Sequence, residues 1–403
     1  MHGVDLLDDA RALLPDLARL REELHREPEV GLNLPRTQER VLEELSGLPL
    51  EISTGVRTTS VTAVLRGTAR KRPAEPSTVL LRGDMDALPV RERSGEDFAS
   101  ANGSMHACGH DLHTAGLVGA ARLLSAHRDR LSGDVVFMFQ PGEEGHDGAR
   151  VMIEEGVLTA AGRRPDHAYA LHVVPHRLPS GLVSARAGTT LFASYTLEVV
   201  VRGTGGHGAT PHEAKDPVVA AAEMVSVLQT AVTRSFDVSS PVIVTVGVLR
   251  AGTAANIIPD HASFDATVRA VDPDAEPRLR EVFTRYLTGI AAAHGVVADV
   301  RLVPGYPATV NDAGEAEHVG AVAQELFGAE CFDAPSHPTQ GSEDFSRVLQ
   351  EVPGALMFLG AHAPGADPAA AAANHSPLAR FDSAVLGRSA ALLAGLAAER
   401  LCA

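Results

Sequence analysis

A chain of 403 residues is too long for one ordinary hydrophobic core, so two domains are expected. Hydrophobic residues make up 45% and charged residues 21%, the balance of a soluble globular protein, and no run approaches the length of a membrane span. The net charge of −16 argues against a nucleic acid or an anionic membrane as partner, since either would need a basic face.

In chain order, residues 1 to 24 alternate Leu and Ala with Asp, Arg and Glu at helical spacing, which predicts an amphipathic surface helix and not a signal peptide. Pro28 and Gly31 stop it, and a second helix is expected from Pro35 to Leu45. His25, at the helix end with no partner close in sequence, reads as a surface histidine. Strands and helices then alternate. Strands are predicted at Ser60–Arg66, Thr78–Arg82, Asp134–Gln140 and His167–Leu171, with a helix from His113 to Ser125, the pattern of an α/β fold. Asp86, Glu143, Glu144 and His172 each fall just past the C-terminal end of an apolar strand. Open α/β sheets place their ligand crevice there, so these side chains should converge.

Between Arg186 and Pro304 the texture changes. Strands at Phe192–Val201, Pro241–Arg250, His261–Ala270 and Val296–Val303 alternate with helices at Asp216–Arg234 and Glu276–His294. The order β-α-β-β-α-β resembles the ferredoxin-like arrangement and predicts an α+β domain, residues 187–304, inserted into an α/β domain formed by residues 1–186 and 305–403. The latter resumes with a helix near Glu315–Phe327, a strand at Ala355–Leu359 and a closing helix from Ser383; residues 363–373 read as a flexible loop.

The densest chemistry lies in residues 105 to 114, which hold a thiol, three imidazoles and a carboxylate. Cys108 and His110 flank Gly109, whose freedom lets the backbone aim both side chains at one point. A thiolate with an imidazole suits zinc or another borderline-soft divalent ion, although a buried cysteine beside loop histidines gives the same local pattern. The three cysteines, Cys108, Cys331 and Cys402, are odd in number and lack disulfide spacing, which points to a reducing, cytoplasmic compartment. Glu143 and Glu144 repel each other. Two metals and a water would use both, one glutamate as ligand and its neighbour as proton carrier; a solvated acidic turn is the other reading.

Together, the stretches at residues 82–89, 105–111, 141–145, 171–173, 205–207 and 375–377 occur in the order seen in the M20 family of dinuclear metallopeptidases. They resemble its amidohydrolase branch, which includes hippurate hydrolases, aminoacylases and indole-acetyl-amino-acid hydrolases. The resemblance implies a mixed-sheet catalytic domain with helices on both faces, and an inserted dimerisation (lid) domain. It implies hydrolysis of N-acyl amino acids by attack of a metal-bridging hydroxide, with a dipeptidase or carboxypeptidase of the same mechanism, or a silent metal-binding scaffold, as alternatives. It also implies that Cys108, His110, Glu144, His172 and His375 are metal ligands, that Glu143 is the general base, and that Asp86 orients a metal-bound histidine; a plain helix-start cap is another reading of Asp86. His106 and His113 match no ligand position and are given supporting or structural roles. His207, on a glycine-rich loop, is implied to reach the partner subunit's active site and polarise the scissile carbonyl. Asn256 and Arg269 are implied to bind the substrate carbonyl and terminal carboxylate. The implied cofactors are two divalent ions per subunit, zinc first and manganese, nickel or cobalt as alternatives, and the implied assembly is a homodimer through residues 187–304. The chain departs from the family at Leu34, where a Glu is usual nearby, and at Ser383, where an acidic residue is usual. These departures bear on substrate choice and local packing.

Overall fold

A computed structural model describes residues 3–402. Helices α1 (Gly3–Arg26) and α2 (Pro35–Leu45) precede strands β1 (Leu50–Thr54), β2 (Val61–Arg66) and β3 (Thr78–Asp84). Helix α3 (His110–Ala126), β4 (Asp134–Gln140), α4 (Gly148–Glu154), β5 (His167–Val174) and β6 (Val183–Ser184) follow. After β7 (Gly188–Leu191) come β8 (Ala193–Arg202), β9 (Gly206–His207), α5 (Pro217–Ser235), β10 (Val242–Ala251), β11 (Ile257–Ile258), β12 (His261–Ala270), α6 (Glu276–His294) and β13 (Val297–Pro304). The chain closes with β14 (Thr309–Asn311), α7 (Ala313–Phe327), β15 (Phe332–Asp333), α8 (Ser346–Leu349), β16 (Gly354–Gly360) and α9 (Leu386–Leu401).

Two compact units result. The first runs to Thr190 and adds Val310–His337 and the chain from Asp344; the second is Leu191–Thr309 with Pro338–Glu343. The sequence reading divides the chain at residues 187 and 304 and leaves Pro338–Glu343 with the first part. That segment joins the second unit through backbone pairing: Leu191 bridges Thr339, and the Phe192 amide donates to Gly341 at 3.0 Å. Apolar periodicity carries no signal for such a return.

The first unit is built on a mixed sheet in the order β1-β2-β4-β3-β5-β16-β6-β15. β3 lies parallel to β4 and β5, while β2 runs antiparallel to β4. Every residue of β3 and β4 is buried, which requires cover on both faces. Helices α1, α3 and α9 pack on one another. A Cβ on Gly116 of α3 would stand 2.3 Å from Ser389 Oγ and 3.1 Å from Ser389 Cβ of α9, so the glycine lets the two helices approach closely.

Helix α1 carries a correction. His25 is only 1% exposed, its Nδ1 lying 2.8 Å from Asp111 and its Nε2 3.1 Å from Glu92. Arg21 is equally buried and donates to the same Asp111 carboxylate at 2.8 Å. The partners of His25 sit 67 and 86 residues downstream, which is why its local sequence reads as a surface position. Burial lowers its pKa, but the charge and hydrogen bond of Asp111 and the bond to Glu92 outweigh that and raise it to about 9.

The second unit is a four-stranded antiparallel sheet, β10-β12-β8-β13, with α5 and α6 packed together on it. Its order, β8-α5-β10-β12-α6-β13, is the β-α-β-β-α-β expected from the sequence. Alternate residues of β8 and β12 are buried, so one face carries the helices. Leu197, Val199, Leu228, Phe264 and Phe283 form part of a core separate from that of the first unit. Among the described residues no helix is long and apolar enough to cross a membrane.

Candidate active site

The ends of β3, β4 and β5 and the start of α3 deliver chemistry to one place in the first unit. Gly109, with φ of +85°, turns the chain between Cys108 and His110, the first residue of α3. A Cβ there would meet Val173 Cγ2 at 2.4 Å, so no other residue fits. Just past β3, the Asp86 carboxylate accepts the backbone amides of Glu143 at 2.9 Å and Glu144 at 3.0 Å and shapes the turn after β4. Asp86 also accepts His110 Nδ1–H, but through its backbone carbonyl at 2.8 Å. Its Oδ1 also lies 3.5 Å from that nitrogen, so Asp86 meets His110 with its carbonyl and its carboxylate while the carboxylate shapes the glutamate turn.

Two groups of donors share the Cys108 sulfur: Cys108 with His110 and His172, and Cys108 with Glu144 and His375. Sγ lies 3.4 Å from His172 Nε2 and 3.3 Å from His375 Nε2, and the latter nitrogen is 3.0 Å from Glu144 Oε1. Glu143 lies within reach of the same place, grouped with His110 and Glu144. The structure thus brings Cys108, His110, Glu143, Glu144, His172 and His375 together.

The donor chemistry fits two divalent cations. His110 Nε2 is buried without a hydrogen-bond partner, and because Nδ1 carries the proton given to the Asp86 carbonyl, Nε2 presents a lone pair. His172 Nδ1 likewise donates, to the Val173 carbonyl at 2.9 Å, which turns its Nε2 lone pair toward Cys108. Burial holds His172 well below the ordinary imidazole range and so neutral, and burial pushes the Cys108 thiol up. A cation would reverse the second effect by stabilising the thiolate. A thiolate, three imidazoles and a carboxylate suit borderline-soft ions better than calcium or magnesium.

Several supporting side chains were not assigned from the sequence. Asn374 Nδ2 lies 3.2 Å from the carbonyls of both Cys108 and Val173, and the His375 amide donates to Ala107 at 2.9 Å. These bonds hold His375 in the left-handed backbone region, φ +68°, which is unusual for a histidine. Arg82 spans Gln140, Asp84 and Asp344, all buried, and Asp344 in turn accepts the Ala149 amide. Arg82 and Asp84 are adjacent to Asp86 in the motif, but nothing local reveals a partner at Asp344. His113 bonds Asp84 and Val173. His106 is buried beside the His25 ring, and burial lowers its pKa to about 3. Neither of these two histidines is a donor in the two groups around Cys108, although His113 forms a further group with Asp84 and His110.

His207, Asn256 and Arg269 belong to the second unit. β9 pairs with β11 so that Ile257 faces His207, and Gly208 donates to the Asn256 carbonyl at 2.9 Å, which makes His207 and Asn256 neighbours on one exposed ribbon. His207 Nδ1 accepts the Ala209 amide at 3.0 Å, so Nε2 is the ring's outward N–H donor. Arg269, on central strand β12, is half-buried and hydrogen-bonds Ser342; burial lowers its pKa.

The family model for peptidase family M20/M25/M40 matches residues 80–399. The chain is 36% identical over 392 residues to an Arabidopsis thaliana protein named IAA-amino acid hydrolase ILR1-like 2, covering 96% of this chain and 85% of that one. It is 34% identical over 360 residues to thermostable carboxypeptidase 2 of Saccharolobus solfataricus, covering 88% of each. The solved structure of the Bacillus subtilis YXEP protein, described as a dinuclear metal-binding peptidase of the M20 family, superposes with a TM-score of 0.82 at 30% identity, over 97% of this chain and 99% of that one. With the family model matched over most of its length, the chain belongs to peptidase family M20/M25/M40 and is a metal-dependent hydrolase of amide bonds.

Proposed function

We propose that the substrate is an N-acyl amino acid, cleaved to a carboxylic acid and a free amino acid, and that Cys108, His110, Glu144, His172 and His375 hold two divalent ions, zinc first. The observation that carries the reading is the pair Glu143–Glu144 on a turn fixed by Asp86, with Glu144 grouped with Cys108 and His375 and Glu143 set beside it. When bound, the ions would acidify water and polarise the scissile carbonyl. Glu143 takes the proton of the attacking water and returns it to the leaving nitrogen, the task for which a non-ligating carboxylate is needed. Arg269 offers a planar fork to the substrate carboxylate, Asn256 an amide to its carbonyl, and His207 an outward Nε2–H to the developing oxyanion.

A homodimer is part of the same reading. Strands β10 and β13 are open edges of the second unit, and Val297 and Val303 on β13 are 67% and 43% exposed, so a second copy could extend the sheet. Two-fold symmetry would carry His207 to the partner's crevice. Free thiols at Cys108 and Cys331 suit the cytoplasm.

A relative named as a carboxypeptidase keeps one second reading in view. Kinetics on zinc-loaded protein with N-acyl amino acids and with dipeptides of the same C-terminal residue separate the two. Higher kcat/KM on the acyl amino acids is expected. Faster dipeptide turnover would assign a peptidase, and no turnover of either by protein carrying two ions would remove the substrate assignment.

A further inference from the structure

Strand β5 is laddered to β3 only as far as the pair Arg82–Ala170, whereas on its other edge β16 follows it through Phe358–His172 and Leu359–Val173. The Val173 amide lies beyond the reach of the β3 ladder. It donates instead to Nε2 of His113 at 2.8 Å. A backbone N–H can only donate, so this nitrogen carries a lone pair and the ring's proton sits on Nδ1, which donates to Asp84 Oδ1 at 2.6 Å. Asp84 is fixed in turn by Arg82 Nη1 on its other oxygen at 2.7 Å and by Thr114 Oγ1 on its carbonyl at 2.8 Å. Both nitrogens of His113 are thus occupied, although its ring lies 4.7 Å from that of His172 and 5.3 Å from that of His110. It has no lone pair to offer a cation.

The peptide plane that His113 holds is the one joining His172 to Val173, and His172 Nδ1 donates to the carbonyl of that same Val173. The direction of the His172 ring is therefore set by a residue whose amide is anchored on His113. We propose that His113, backed by Asp84, is a positioning residue that stands in for the missing strand, aims His172 Nε2, and supports the Cys108–His110–His172 half of the metal centre selectively. The inference rests on the ligand assignment proposed above. The Cys108–Glu144–His375 half is tethered by the Asn374 amide and the His375 backbone; Asn374 also reaches the Val173 carbonyl, but neither bond passes through His113.

Substitution can separate the two bonds of His113. An Asn side chain can still donate to Asp84 but falls short of the Val173 amide, whereas a Gln oxygen stands near the place of Nε2 and can accept it. Metal-free protein would be titrated with zinc against a competing chelator. Two equivalents are expected for wild type and for His113→Gln. In His113→Asn one equivalent should weaken about 10- to 100-fold while the other is unchanged. His172→Ala is the companion and should lose that same equivalent outright. If His172→Ala keeps both equivalents, the ligand assignment fails; if it loses one while His113→Asn binds both as wild type does, His113 is not a positioning residue. Long-range proton–nitrogen spectra of the wild-type metal-free protein require no variant to fold. They should show His113 and His172 protonated at Nδ1, and a proton on Nε2 of His113 overturns the inference.

Discussion

Asp86 holds Glu143 by its backbone: one carboxylate oxygen accepts the Glu143 amide at 2.9 Å while the other takes that of Glu144, across 57 residues of sequence. The carboxylate is fully buried, so its loss strands the two amides it accepts. Asp86→Ala should lower stability by on the order of 3 kcal/mol and reduce metal content together with activity. Asp86→Asn, which keeps one acceptor, should fall between. Urea denaturation and elemental analysis on the same preparations check this; a stable Asp86→Ala protein with full metal content would refute it.

Adjacent glutamates with separate jobs should respond differently to the same change. Glu143→Gln keeps shape but cannot take a proton, so kcat should fall by roughly two or more orders of magnitude with metal content near normal. Glu144→Gln should lose metal instead. Equal metal loss in the two variants would mean that the roles are misassigned.

The buried cluster under α1 predicts a pH dependence. His25 is raised from 6.5 to about 9, so its stabilisation is complete below about pH 6 and is lost as the pH rises through about 9. The gap in stability between wild type and His25→Gln should be on the order of 3 kcal/mol at pH 6 and close toward pH 10. Urea midpoints at the two pH values measure it. A gap independent of pH would show that packing, not the charge on His25, is what the cluster uses.

The proposed homodimer predicts complementation. Glu143→Gln and His207→Ala should each be nearly inactive, yet random subunit exchange creates mixed dimers in which one site has both an intact base and an intact partner histidine. Activity should return to about a quarter of wild type if the sites are independent. A mixture that stays inactive while mass spectrometry detects heterodimers removes the action of His207 across the interface.

The long elements were legible because their periodicity is local: β4 begins and ends where its run of apolar residues does, and α6 spans Glu276–His294 as read from the sequence. The donor residues were legible for a different reason. Strand ends in an α/β sheet converge, so Asp86, Glu143, Glu144 and His172 could be brought to one crevice before any coordinates, whereas their union with Cys108, His110 and His375 came from the family resemblance. Illegible were the residues whose meaning lies wholly in a distant partner. His25 looks like a surface histidine until Asp111 is set beside it, Asp344 looks like a loop acid until Arg82 reaches it, and the hold of the Asp86 carboxylate on the Glu143–Glu144 turn shows only once those amides are set against it. The short strands β6 and β15 escaped notice because two residues carry no period.

His375 lies 267 residues beyond Cys108, with the whole Leu191–Thr309 unit encoded between them. On the ligand set proposed above, the ribosome therefore releases Cys108, His110 and His172 long before the final donor exists. A nascent chain can own the residues for one ion while the place for its neighbour still lacks a wall. Maturation of the centre should be ordered in time, with the half that contains His375 filled only after translation is nearly finished.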